Sequence, residues 1–161
     1  MRVFKEQQRF NQLWLLAFIS IIAILLNILF TKSFIIGKMS FLKYLWFLSM
    51  TLIPCAFIFI IKLKTRIDEI GIHYQFYPIH LKMKLIPWKD IQSAQTRIYN
   101  ALPEYGGWGL KNGNFGKRGA AINIKGNIGI QLILNNNKRI LIGTQKKFDV
   151  DNIIYRYLHT D

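Results

Sequence analysis

The sequence predicts a membrane α-helical hairpin of two transmembrane helices, followed by a mainly β domain that ends in one α-helix. Three observations predict this class: two long apolar runs near the start, period-2 alternation after residue 62, and helical spacing at the end. The 161-residue chain is 52% hydrophobic, yet it carries 22 Lys and Arg against 8 Asp and Glu. Those two properties conflict in a uniform soluble domain. We therefore expect a membrane anchor over residues 1–61 and a β domain over residues 62–161.

The two apolar runs cover residues 13–30 and 41–61. The first has no charged residue, and the second has only Lys43, near its start. A bilayer core of roughly 30 Å requires about 20 apolar residues at about 1.5 Å each, so both runs qualify as spans. A cleavable signal peptide fits less well, because no Ala-x-Ala-like site follows the first run. A buried hairpin also fits less well, since helices that are apolar on all sides are rare in so small a chain.

The orientation of the hairpin follows from the flanking cations. Six Lys and Arg lie on the two outer flanks, and three lie in or beside the connector: Arg2, Lys5, Arg9, Lys62, Lys64 and Arg66 against Lys32, Lys38 and Lys43. Cytoplasmic flanks are enriched in Lys and Arg. We therefore expect a two-span protein of the cell membrane with both termini in the cytoplasm.

The β domain is predicted from alternating apolar residues. Leu81, Met83 and Leu85 alternate with Lys82 and Lys84 and form the clearest half-buried strand. Other alternating stretches lie at residues 72–76, 122–124, 128–134 and 138–144, with the turn residues Asn135, Asn136 and Asn137 between the last two. About seven short strands are expected.

The chain is expected to end in an amphipathic helix over residues 149–158. Asp149 is a typical N-cap residue, and the apolar residues that follow it have helical spacing: Val150, Ile153, Ile154, Tyr157 and Leu158. Such a stripe must be buried, and the open end of a curved antiparallel sheet is its natural partner.

Several segments resemble the bacterial pleckstrin-homology-like (PH-like) domains of small membrane proteins. These are Ile86-Pro87-Trp88-Lys89-Asp90-Ile91, Glu104-Tyr105-Gly106-Gly107-Trp108-Gly109, and the stretches 126–131 and 143–145. The resemblance covers about residues 65–158. It implies a seven-stranded, partly open barrel that is closed by the final helix, but it implies no ligand, because a fold alone fixes no function.

The glycine-rich stretch 103–119 contains the candidate binding loop. The candidates are Tyr105, Gly106, Gly107, Trp108, Lys111, Lys117 and Arg118. Glycines let backbone N–H groups approach an anion, and the cations suit a lipid headgroup. The same glycines could instead serve only the curvature of a bulged hairpin. Both interpretations stay open on the sequence alone.

Charge suggests a second candidate surface. Residues 62–161 carry sixteen Lys and Arg and seven Asp and Glu, a net charge of +9. Lys82 and Lys84 are predicted on the outer face of one strand as a basic face for anionic lipid. The alternative is an ordinary solvated face.

Catalytic chemistry is not indicated. We identify no catalytic, cofactor-binding or metal-binding residues, because the three histidines are scattered and no catalytic motif is present. Cys55 lies within the second apolar run, where a thiol is usually a small apolar filler. Glu104 is the one carboxylate without an obvious structural role, which leaves a membrane enzyme with a site at residues 104–108 as an alternative.

The leading functional hypothesis is a non-enzymatic integral membrane protein whose PH-like domain binds a lipid surface or a protein partner. The expected partners are anionic lipid headgroups, a membrane protein or a second copy of the chain. An oligomerisation or scaffold module is thus a further alternative. Nucleic acid is not expected, despite the sequence pI of about 10.1, because the anchor holds the domain at a membrane.

Overall fold

The computed structural model describes residues 3–111, 113 and 119–159. It divides into two units by its internal contacts. One unit is Phe10–Ile61, and the other combines Met1–Arg9 with Lys62–Asp161. The sequence analysis assigned all of residues 1–61 to the anchor. The structure instead assigns the first residues to the β unit, for the reason given below.

The helical unit consists of α1 (Leu13–Ile35) and α2 (Phe41–Ile60). Both helices are long and apolar enough to cross a membrane, as the sequence predicted, and α1 extends five residues beyond the predicted run. Of the residues in α1 and α2, all of which the structure describes, none is buried by protein. Asn27 donates a 3.0 Å hydrogen bond to the Thr51 hydroxyl, so the polar groups of the two helices meet each other.

Among the residues that the structure describes, the β unit contains nine strands in two sheets. The first sheet has the order β1-β2-β3-β4, all antiparallel, with β1 at Phe4–Arg9, β2 at Lys62–Ile67, β3 at Gly71–Tyr77 and β4 at Lys84–Pro87. Gly71 is required where β3 meets β4, because a Cβ atom there would lie 2.2 Å from the Ile86 carbonyl oxygen. A short 3₁₀ helix, Trp88–Asp90, leads to the second sheet.

The second sheet has the order β5-β8-β9-β7-β6. Its strands are β5 (Ile91–Ile98), β6 (Gly109–Lys111), β7 (Ala120–Asn123), β8 (Ile128–Leu134) and β9 (Arg139–Gly143). A short helix, α3 (Ala101–Tyr105), follows β5, and the pairing of β7 with β9 is parallel. The predicted hairpin of β8 and β9 is confirmed, and Asn137 in its turn has φ 62°, which Asn tolerates better than most residues.

The strand β1 explains the division into units. It pairs with β2 along its whole length, from Phe4 opposite Ile67 to Arg9 opposite Lys62. Its Gln8 amide donates a 2.8 Å hydrogen bond to the Gly143 carbonyl at the end of β9. Strand β1 therefore joins the two sheets, and it belongs to the β unit although the helices separate it from β2 in sequence.

The final helix α4 (Lys147–His159) begins two residues earlier than predicted, so Asp149 lies in its first turn and is not the N-cap. The predicted stripe is confirmed at Val150, Ile153 and Ile154, which are buried. They pack with the apolar faces of both sheets, whose fully buried members include Leu63, Ile72, Ile130, Leu132 and Ile142. Burial of about 25 cal/mol per Å² of apolar surface is the main stabilisation of such a core.

The strand expected at Leu81, Met83 and Leu85 is wrong over most of its length. Only residues from Lys84 onward form β4, and residues 78–83 form the connection from β3. Leu81 is 78% exposed and Ile79 is 58% exposed. Alternation predicted burial here, but no neighbouring strand pairs with residues 78–83.

Candidate functional site

The candidate binding loop begins at α3, where Tyr105 is fully buried. Its ring packs edge-on against Tyr99, with ring centroids 6.0 Å apart, and burial raises the pKa of Tyr99 to about 12. Gly106 has φ 67° and ends α3, while Gly107 has φ 112°. These two glycines therefore have a conformational role that only a residue without a Cβ fulfils readily.

The rest of the described loop is also packed. The Trp108 indole N–H donates to the Gly126 carbonyl at 3.2 Å, and the Gly109 N–H donates to the Asn123 side chain at 2.9 Å. Lys111 is half-buried in β6. Lys117 and Arg118 lie outside the described residues. The structure thus shows Tyr105 and Trp108 in structural contacts within the β unit.

Arg97 organises a polar network next to this loop. Its guanidinium lies 2.9 Å from a Glu104 carboxylate oxygen and donates to the Tyr105 hydroxyl at 2.9 Å. Its Nε also donates to Gln131 at 3.0 Å. Burial alone lowers the pKa of Arg97, but the hydrogen bonds and charges of Glu104 and Tyr105 outweigh it and raise that pKa. Sequence reasoning missed Arg97, since nothing local marks its pairing with α3.

Glu104 has a structural role that the sequence did not reveal. Besides its ion pair with Arg97, it accepts a 2.7 Å hydrogen bond from the Asn100 N–H. Asn100 precedes α3, so Glu104 satisfies an N–H group at the start of its own helix. A carboxylate near a helix N-terminus is stabilising. Glu104 suggested a catalytic site because the sequence showed no structural role for it. Its contacts with Arg97 and Asn100 provide that role.

A second region lies at the end of the first sheet where the chain leaves for α1 and returns from α2. There Arg9, Lys62 and Tyr77 stand side by side in the strand register, and we call this row the junction edge. Strand β3 runs antiparallel to β2, so the connection of residues 78–83 begins at the junction edge. We call that connection the β3–β4 loop.

The candidate basic residues belong to this second region. Lys82 lies in the β3–β4 loop, Lys84 begins β4, and both are exposed. They are therefore not on one strand face, as predicted, but they lie on either side of Met83 in the same surface segment. Asp68 and Glu69 occupy the connection from β2 to β3, at the opposite end of those strands. The junction edge thus carries cations, whereas the other end of the first sheet carries Glu69 and the ion pair of Asp68 with Arg66.

Asp68, at the end of the first sheet opposite the junction edge, has a defined set of contacts. Asp68 lies 2.8 Å from Arg66 and 3.1 Å from a His73 ring nitrogen, and it also accepts from the Ile70 N–H at 3.1 Å. Burial raises the pKa of Asp68, but the His73 and backbone hydrogen bonds together lower it below its ordinary value. His73 thus has a structural partner.

The described part of the chain contains no candidate metal-binding site. Residues 3–111, 113 and 119–159 contain no group of three or more His, Cys, Asp and Glu side chains that could hold a metal ion. No family model matches the chain, and neither a curated protein nor a solved structure matches it.

Proposed function

We propose that the chain is a non-enzymatic integral membrane protein. In this proposal α1 and α2 span the cell membrane, and a PH-like β domain at the cytoplasmic face binds a lipid surface or a protein partner. One observation carries the proposal: Phe10–Ile61 interrupts a β-hairpin whose two strands pair from end to end. Both flanks of the helical unit belong to one folded sheet, so both must lie on the same side of a bilayer. Two crossings satisfy that requirement, and one does not.

The helices support the membrane assignment by their length and their polar contacts. At about 1.5 Å per residue, α1 and α2 measure roughly 35 Å and 30 Å, which matches a hydrocarbon core of about 30 Å. Asn27 and Thr51 satisfy each other between the helices, as buried polar groups in lipid require. The excess of Lys and Arg on the outer flanks favours the cytoplasm for the β unit.

The PH-like assignment is supported by the order of the strands. In sequence, the β6–β7 pair lies between β5 and β8. In the second sheet, it lies beyond β9 and extends the sheet at that edge. Without that pair, the unit has an antiparallel four-stranded sheet, three antiparallel strands (β5, β8 and β9) and a final helix. The resemblance implies seven strands and a final helix over about residues 65–158, and the structure gives that number with β1, which lies outside this range, in place of the β6–β7 pair.

Lipid is favoured over a protein partner by the distribution of charge. A domain held within a few residues of the bilayer experiences the anionic inner leaflet at about 1 kcal/mol per basic residue near the surface. Arg9 and Lys62 lie at the junction edge, and Lys82 lies in the loop that begins there. Lys84 lies opposite Tyr74, farther along β3. The contacts of Glu104 leave the enzyme alternative without a specific observation in its favour.

The experiment that tests this proposal is accessibility labelling of the full chain. In a Cys55→Ser background, Lys38→Cys reports the connector between the helices and Glu69→Cys reports the exposed β2–β3 connection. In right-side-out vesicles, a membrane-impermeant maleimide should label Lys38→Cys at once. It should label Glu69→Cys only after the vesicles are opened. Labelling of both positions from outside, or extraction of the protein by alkaline carbonate, would refute the two-span topology.

A further inference from the structure

The β3–β4 loop combines exposed apolar side chains with an ordered backbone. Ile79, Leu81 and Met83 are all exposed, with Leu81 the most exposed of the three. Soluble surfaces do carry single apolar residues, but a run of large ones within one short connection marks an interaction site. A partner that covers this loop would therefore bury three large apolar side chains.

Several polar groups in the middle of the loop are bonded within the β unit. The Gln75 amide donates to the carbonyls of His80 and Leu81 at 3.1 and 2.9 Å. The His80 N–H donates to the Phe76 carbonyl at 2.8 Å, and the His80 ring accepts from the Phe76 N–H at 3.3 Å. The ring also packs edge-on against Tyr74. The His80 N–H and the carbonyls of His80 and Leu81 therefore need no water, which suits a loop that lies at the bilayer interface with only its side chains in the lipid.

The strand register fixes where the loop emerges. Tyr77 pairs with Lys62, which pairs with Arg9, and neighbouring strands are about 4.8 Å apart. In sequence, three residues separate Arg9 from α1, and only Ile61 separates α2 from Lys62. Strand β3 runs toward the same edge from which the chain departs into both helices. The loop therefore extends beyond the sheet at the edge that is tied most closely to the spans.

The charges of the loop also favour the membrane as its partner. Lys82 and Lys84 flank Met83, so cationic side chains alternate with apolar ones in this segment. Lys side chains keep their charge in water or at headgroups while their stems cover apolar surface. The pKa of the His80 side chain is lowered by burial and by the charge of Lys84, which is compatible with a neutral ring near an apolar phase. Among possible partners, the interface of an anionic bilayer matches both features.

We propose that the β3–β4 loop inserts Ile79, Leu81 and Met83 into the bilayer that α1 and α2 span, while Lys82 and Lys84 contact anionic headgroups. The loop is then a third membrane attachment. This inference deepens the proposed function and rests on it, since it needs both spans in the membrane.

The test uses the full chain in vesicles of phosphatidylglycerol and phosphatidylcholine that contain a spin-labelled lipid quencher. An environment-sensitive dye is attached to Leu81→Cys in the Cys55→Ser background. The matched control is Ile70→Cys, an apolar position that is 56% exposed at the opposite end of β3. A dye on the native Cys55, within α2, reports insertion of the spans.

We expect the dye at Leu81 to be quenched by the lipid nearly as strongly as the dye at Cys55, with its emission shifted to shorter wavelength. The dye at Ile70 should show neither effect. Equal, weak quenching at Leu81 and Ile70 together with strong quenching at Cys55 would overturn the loop insertion and leave the proposed function standing. That result is also expected if a protein covers the loop, since the vesicles contain no other protein. Weak quenching at Cys55 would instead overturn the spans themselves.

The contribution of charge is tested in the same vesicles. Quenching at Leu81 should fall when phosphatidylcholine replaces phosphatidylglycerol, and this difference should disappear in the variant with both Lys82→Gln and Lys84→Gln. Equal quenching in the two lipids would remove the two lysines from the proposal. Met83→Cys provides a second labelling position in the loop, and a dye there should behave like the one at Leu81.

Discussion

The dependence of the β unit on β1 can be measured in a shortened protein. Arg9 and Lys62 are direct partners in the register, so an Asn-Gly turn can replace Phe10–Ile61 and close a two-residue hairpin. We expect this protein to be soluble and to unfold cooperatively. A shortened protein without β-sheet structure would refute the view that β1 and β2 form one hairpin.

In that background, Phe4→Ala measures how strongly β1 packs. Phe4 is 7% exposed, and its side chain belongs to the core. Replacement of a buried Phe by Ala costs about 3–5 kcal/mol, and we expect about 3 kcal/mol because β1 is at an edge of its sheet. Domains of this size have unfolding free energies of about 5–15 kcal/mol, so the loss is a large share of the total. At about 4–8 °C per kcal/mol, Tm should fall by roughly 12–24 °C.

The matched control is Lys5→Ala, one residue along the same strand. Lys5 is exposed and faces Arg66 across the pair, so its removal should change the unfolding free energy by less than about 0.5 kcal/mol. Urea unfolding followed by circular dichroism measures both variants. A loss below about 1 kcal/mol for Phe4→Ala, or equal losses for the two variants, would contradict the packing of β1 against the core.

Three further predictions follow from particular contacts. Glu104→Gln should lower the unfolding free energy by about 1–3 kcal/mol, because the half-buried Arg97 loses its anionic partner; thermal melting measures this. Asp68 has a lowered pKa in the folded state, so its contribution to stability is complete above its ordinary pKa and is lost as the pH falls through the folded-state pKa. Asp68→Asn should therefore flatten the loss of stability in urea titrations below about pH 5. In the helical unit, Thr51→Val removes the partner of Asn27 and should weaken helix pairing by about 0.6–1.7 kcal/mol in detergent-induced unfolding.

The elements that could be predicted from the sequence are those whose cause is local. The apolar runs of α1 and α2, the turn at Asn137 and the stripe of α4 each follow from residues close together in the chain. Each depends on hydropathy, on a turn residue or on helical periodicity. The bounds of these elements in the structure differ by a few residues from the predicted ones, but each predicted element is present.

The β3–β4 loop shows why alternation can mislead. Leu81 and Met83 have the spacing of a half-buried strand, yet burial needs a neighbouring strand, and no strand pairs with residues 78–83. In the candidate binding loop, the error was in the opposite direction: residues expected at a surface are packed in the fold. Tyr105 and Trp108 suggested a ligand surface, but the fold uses both in packing and hydrogen bonding. Arg97 and Glu104 could not be paired from the sequence, because their contact depends on how α3 lies against β5.

The sequence by itself therefore determined that the chain has two apolar helices, a sheet-rich second part and a terminal helix, because these properties reside in short stretches of residues. Only the tertiary structure decided that Phe4–Arg9 is a strand of the β unit and that the helical unit interrupts a β-hairpin. The physical reason is that strand pairing is a contact between distant segments. A six-residue strand carries almost no signal of its own, and its partner begins only after two complete helices.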